Sequence, residues 1–161
     1  MGKELFDNIP SKVGDLLSDV KNGRIGLPDL QRPFVWPDSK VRDLLDSMLK
    51  GYPIGYIMLW SSPEDYNNTG HIGTDDKIYK RPDDLVIDGQ QRLTALLAAL
   101  YGVEIKDKNY KKRNIRISFN PLTNEFAVWS QAYERNPEWV SAVSSIFAAD
   151  AEHSVTKYRK G

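Results

Sequence analysis

Cysteine is absent from the 161 residues, and histidine occurs only at His71 and His153. Without thiols there can be no disulfide, no thiolate metal site and no cysteine nucleophile. Two histidines far apart in sequence, neither at ligand spacing, argue against a zinc site and against a Ser-His-Asp triad. An excess of one charge is also missing, because Lys+Arg and Asp+Glu each number 22. That balance argues against a sequence-independent DNA-binding surface spread over the whole domain, while leaving room for a local basic patch. No stretch approaches the roughly 18 apolar residues of a membrane span, and the N-terminus lacks the apolar segment of a signal peptide. The chain therefore reads as a cytoplasmic protein with no membrane partner. Hydrophobic residues make up 40% and charged residues 27%, ordinary proportions for a soluble domain long enough to bury a core.

Periodicity lays out the elements. A helix is predicted after Ser11, with Val13, Leu16, Leu17 and Val20 on one face and Gly23 as its stop. A short extended piece, Arg24 to Leu27, ends at Pro28. Pro28, Pro33 and Pro37 then forbid a helix and define an ordered loop rich in aromatics. A second helix is predicted from Asp38, with Val41, Leu44, Leu45, Met48 and Leu49 as its apolar face and an Asp46–Lys50 pair. Gly51 and Pro53 terminate it. Ile54 to Trp60 reads as a strand apolar enough to be central in a sheet. Residues 61–84 are polar and read as a loop or a long hairpin. Ile115, Ile117 and Phe119 alternate, turn at Asn120 to Asn124, and return through Phe126 and Val128 as a hairpin. A last helix is predicted from an Asn136 cap with Pro137 at its first position, burying Trp139, Val143, Ile146 and Phe147. The expected class is α+β, a small mixed sheet with packed helices. The domain is expected over 1–150, with 151–161 opening a linker to a further C-terminal region.

Chemistry concentrates at residues 85–100. Leu85, Val86 and Ile87 predict a buried strand, Asp88-Gly89 a sharp turn, and Leu93, Leu96, Leu97 and Leu100 one apolar helical face. A strand–turn–helix junction aims free backbone N–H groups at one spot, where the helix dipole favours an anion. Arg92 in the first turn has the planar fork that grips a phosphate in two places. The same residues also fit a capping box, Asp88 capping the helix and Gln91 reaching back. The capping reading does not require Gln90, Gln91 and Arg92 in series, and both readings stand at this point. Gln31-Arg32 in the Pro-rich loop could converge on the same anion, and Phe34 or Trp36 could stack on a base or plug the core beneath the loop.

Three segments occur in order: Leu-Pro-Asp-Leu-Gln-Arg-Pro-Phe-Val-Trp at 27–36, Leu-Leu-Asp-Ser-Met-Leu-Lys-Gly-Tyr-Pro-Ile-Gly at 44–55, and Ile-Asp-Gly-Gln-Gln-Arg-Leu-Thr at 87–94. Together they resemble the N-terminal domain of GmrSD-type, modification-dependent (type IV) restriction endonucleases and related phage-defence proteins, over roughly residues 11–147. That resemblance implies a ParB/sulfiredoxin-like fold and an NTP-binding, often NTP-hydrolysing, regulatory module, using GTP, ATP or CTP with Mg²⁺. It implies a catalytic set of Asp88, Gln90, Gln91 and Arg92, with Asp88 also a candidate Mg²⁺ ligand. The nucleotide-binding set it implies is Gln31, Arg32, Trp36, Ser47, Gly55, Gly89 and Thr94. The implied partners are DNA, reached through the full-length enzyme, and a C-terminal HNH-type nuclease domain, with a homo-oligomer allowed. No His-Asn-His constellation occurs in this chain, so DNA cleavage by it alone is not expected.

Two alternatives remain in view. A non-catalytic ParB-like DNA-binding or adaptor module would place the same arginines on DNA phosphates, with binding that weakens as salt rises. A direct nuclease would use Pro82-Asp83 with Glu104 and Lys106, a loose pattern of Mg²⁺-dependent nucleases; the predicted helix between them argues against it. The stretch Lys106 to Arg116 carries six Lys or Arg and one Asp. It could touch phosphates with Tyr110 stacking, and it also fits a solvated approach to the hairpin.

Overall fold

The computed structural model describes residues 5–28, 33–61, 69–70 and 82–147. Helix α1 (Val13–Lys21) buries Leu17 and Val20, with Val13 and Leu16 packed at the margin of the core. Strand β1 (Ile25–Pro28) follows, then helix α2 (Asp38–Leu49), which buries Val41, Leu44 and Leu45. Lys50 pairs with Asp46 at 2.6 Å, one turn apart. Leu49, placed by periodicity on the inner face, is exposed. It is the last residue of α2, where the chain turns away from the core at Gly51.

Strand β2 covers Met58–Ser61, β3 Thr69–Gly70 and β4 Asp84–Asp88. They join β1 in a sheet of order β2-β4-β1-β3, with β1 and β4 parallel and the outer pairings antiparallel. This corrects the expectation for Ile54 to Trp60. Residues 54–57 are not strand, and β2 pairs with β4 alone among the described strands. β2 is an edge strand, and all four of its residues are exposed. Apolar composition marks a strand without saying whether one or two neighbours flank it. β4 and β1 are the two inner strands. Leu85 and Val86 are buried, but Ile87, expected to be buried with them, is 54% exposed. The β2–β4 register slips between Met58 and Leu59, and such a bulge re-aims the side chains beside it.

Helix α3 (Gln90–Tyr101) is the core of the molecule. Leu93, Leu96, Leu97 and Leu100 are buried as the spacing predicts, and so are Ala95, Ala98 and Ala99. The expected single apolar face is therefore too narrow. α1, α2 and the 3-10 turn Val143–Ser145 all pack on α3, and alanines admit that close approach without a packing void. The short pair β5 (Ile105–Lys106) and β6 (Lys112–Arg113) precedes the hairpin β7 (Ile117–Asn120) and β8 (Glu125–Val128). The hairpin register pairs Ile117 with Val128 and Asn120 with Glu125. It lies against α2.

The expected helix from Asn136 is not there. A short helix α4 (Gln131–Arg135) precedes it. Val140 instead exchanges backbone hydrogen bonds with Phe119, at 2.8 and 3.0 Å, and Ser118 Oγ donates to the Ser141 carbonyl at 2.8 Å. These bonds between segments distant in sequence satisfy the backbone that a helix would have satisfied internally. Asn136 Oδ1 accepts the Glu138 N–H at 3.0 Å, so the side chain makes a local turn rather than a cap. Val143 is buried, while Phe147, expected to face inward, is exposed. No helix among the described residues is long and apolar enough to cross a membrane.

Candidate functional site

Strand β4 ends at Asp88 and α3 begins at Gln90, with Gly89 between them at φ +95°. Gly89 is the N-cap, and no side chain caps the helix. This decides the capping question left open by the spacing. Asp88 does not cap α3, and Gln91 does not reach back. The left-handed conformation of Gly89 supplies the turn, and a Cβ there would run into Ile57.

Each polar side chain of the motif has a distinct partner. Gln90 Nε2 donates to the Val86 carbonyl at 3.3 Å, turning back onto its own strand. Gln91 reaches the Pro-rich segment: its Oε1 accepts the Val35 N–H at 3.1 Å and its Nε2 donates to the Pro33 carbonyl at 3.2 Å. Arg92 reaches the segment after α2, where Nη1 donates to the Ile54 carbonyl at 2.7 Å. Its Nη2 lies 3.8 Å from Asp88 Oδ2. Gly55, at φ +88°, packs its α-carbon against that guanidinium, and a Cβ built there would stand 2.5 Å from Nη1. Asp88 itself is 74% exposed at the side chain, against 18% for Arg92. The start of α3 is thus a junction on which two loops converge, with one carboxylate left facing solvent.

The remaining candidates are placed as follows. Trp36 is half-buried and packed against the core, Lys40 Nζ lies 4.2 Å from its ring centroid, and Phe34 beside it is buried. The core-plug reading therefore holds for Phe34. Ser47 lies on α2 and accepts the Tyr52 N–H through its carbonyl at 2.9 Å. Thr94 is half-buried in the second turn of α3. Gln31 and Arg32 lie outside the described residues. His71 and His153 do as well.

Asp83 and Glu104 are each met by a basic side chain, Arg24 Nε at 3.8 Å and Lys112 Nζ at 3.4 Å. Among the described residues no three His, Cys, Asp or Glu gather as a metal site. The nuclease pattern of Asp83, Glu104 and Lys106 therefore has no such cluster behind it. In the basic stretch, Arg113 Nη1 binds Asp38 Oδ1 at 2.6 Å and Nη2 donates to the Trp36 carbonyl at 2.7 Å. Arg116 lies over the Trp129 ring. Asp107 orders the turn between β5 and β6, accepting N–H bonds from Asn109 at 2.7 Å and Lys111 at 3.0 Å. Those bonds, the Lys111 one foremost, hold its carboxyl below the usual range. Reading the sequence missed Arg113 and Ile57 as supports of this region. Neither stands in a motif, and Arg113 acts 75 positions from Asp38.

The mixed sheet, the buried α3 and the glycine turn at its start define an α+β domain built around one strand–turn–helix junction. The chain belongs to the family of the GmrSD restriction endonuclease N-terminal domain, whose model matches residues 13–157. It is also similar to an uncharacterized protein of Methanocaldococcus jannaschii, 33% identical over 105 residues. That similarity covers 61% of this chain and 18% of the relative, so the chain spans less than a fifth of that protein's length.

Proposed function

We propose that this domain binds the triphosphate of a nucleotide at the Asp88–Arg92 junction and hydrolyses it, as the regulatory, ParB-like part of a DNA restriction or phage-defence enzyme. The observation that carries the reading is the start of α3. It has no side-chain cap, it is approached by two loops, and it has an exposed carboxylate at its edge. Backbone N–H groups of an uncapped helix start favour phosphate oxygens. Gly89 and Gly55 admit the Ile57 and Arg92 side chains against the backbone there, which brings the guanidinium beside the turn.

Asp88 is the group available for chemistry. It would hold the attacking water, or one Mg²⁺ whose other ligands come from phosphate oxygens and water, the usual mode for that ion. Gln90, which follows the turn, is the neighbour suited to orient the water. Phosphoryl transfer needs mainly positioning and charge neutralisation, which these groups offer. DNA recognition and strand cleavage belong, on this reading, to further domains such as an HNH-type nuclease.

Calorimetry with GTP, ATP and CTP, each with Mg²⁺, tests the reading on the wild type and on Asp88→Asn. Binding of one nucleotide by the wild type is expected. Its turnover should be lost in Asp88→Asn without a change in melting temperature. Failure of the intact protein to bind any of the three would sink the proposal.

A further inference from the structure

A carboxamide carries one donor end and one acceptor end, and the Pro-rich segment offers each a partner. Pro33 has a carbonyl but no N–H to give, and it accepts from Gln91 Nε2 at 3.2 Å. Val35 donates its N–H to Gln91 Oε1 at 3.1 Å. The two bonds straddle Phe34, as those of a parallel neighbouring strand would. On the opposite side Phe34 donates its N–H to the Lys106 carbonyl at 3.2 Å and bridges Asp107 in the parallel sense. Its ring is buried in the core. The segment is therefore held between the first turn of α3 and the end of β5. Arg113 then fixes it downstream through Trp36 and Asp38.

Each end of the Gln91 amide makes one bond to this segment, and the two together fix the plane of the amide against it. We infer that Gln91 is a positioning residue. It latches the Pro33–Val35 segment to the start of α3 and takes no part in orienting a reacting water. Its consequence for nucleotide binding rests on the function proposed above, whereas the latch itself does not.

The test combines amide hydrogen exchange by NMR with nucleotide affinity and turnover, on the wild type, Gln91→Met and Gln91→Glu. Methionine keeps the length and loses both bonds. Glutamate keeps an acceptor for Val35 and loses the donor to Pro33. The Val35 amide belongs to an exposed residue, so the latch is its protection. In Gln91→Met that amide should exchange several-fold to about tenfold faster, the scale of a lost neutral hydrogen bond, while Phe34 keeps its protection. Gln91→Glu should restore the protection of Val35. Nucleotide affinity should fall by on the order of tenfold in Gln91→Met, with a much smaller change in saturating turnover and partial recovery in Gln91→Glu.

Equal Val35 exchange in the wild type and Gln91→Met overturns the latch. So does a loss of turnover of about a hundredfold with affinity and Val35 protection unchanged, the signature of a group acting in the chemical step. A wild type that binds no nucleotide refutes the proposed function, and the Val35 exchange rates then still decide the latch.

Discussion

Arg92 Nη1 donates to the carbonyl oxygen of Ile54 at 2.7 Å, tying the first turn of α3 to the loop that leads into β2. The guanidinium that sequence spacing offers to phosphate thus uses one of its donors within its own fold. Arg92→Ala removes a charged donor from a half-buried carbonyl. The expected cost is about 2 kcal/mol, which lowers the melting temperature by roughly 4–8 °C for a chain of this size. An unchanged unfolding midpoint would show that the Ile54 bond contributes nothing. Loss of ligand binding in this variant is interpretable only beside that midpoint.

Gly89→Ala places a Cβ against Ile57 at a backbone φ of +95°. Strain of this kind costs about 1–3 kcal/mol. The double variant Gly89→Ala/Ile57→Ala should recover part of the loss, with a coupling of about 0.5–1 kcal/mol. Denaturant unfolding of the single and double variants measures it, and strict additivity would rule out the Ile57 contact as a cause.

Arg113→Lys keeps the charge but loses the fork that reaches Asp38 Oδ1 and the Trp36 carbonyl together. Both side chains are 30% exposed, so the pair lies between a surface and a buried ion pair. The expected loss is about 1–2 kcal/mol. A double-mutant cycle with Asp38→Asn should show coupling, and its absence would mean that the Trp36 bond alone accounts for the loss.

Asp107 governs the β5–β6 turn through a depressed carboxyl. A folded value below the unfolded one means that its contribution is present above the ordinary carboxylate range near pH 4. The contribution disappears as pH falls through the folded value. The protection of the Asn109 and Lys111 amides, taken against their intrinsic exchange rates, should fall over that acid window in the wild type. Asp107→Ala should show little protection of these amides at any pH. A wild type whose amides are indifferent to acid would disprove the assignment.

The Asp46–Lys50 pair gives the opposite sign. The Asp46 carboxylate, by hydrogen bond and then by charge, raises the Lys50 ammonium above its ordinary value. The pair therefore supports the end of α2 fully below about pH 10.4 and loses this support as pH rises through the folded value. NMR titration of Lys50 Nζ in the wild type and Asp46→Asn should give a lower midpoint in the variant. Equal midpoints would mean that the pair is not populated in solution.

Helices α1, α2 and α3, the hairpin β7–β8 and the glycine turn at residue 89 are legible in local sequence patterns. Each is a local pattern: apolar spacing at 3.6 or 2 residues, or a residue that alone tolerates positive φ. Three ordered segments also carried the family. Long-range packing places β2 at the edge, pairs Val140 with Phe119 instead of leaving it to a helix, and sets Gln91 and Arg92 against the segments at Pro33–Val35 and Ile54. The partners in these contacts are 21–58 positions apart. Side-chain type fixes what a group can donate or accept, whereas the packing of α3 against α1, α2 and the 3-10 turn fixes which partner lies within reach.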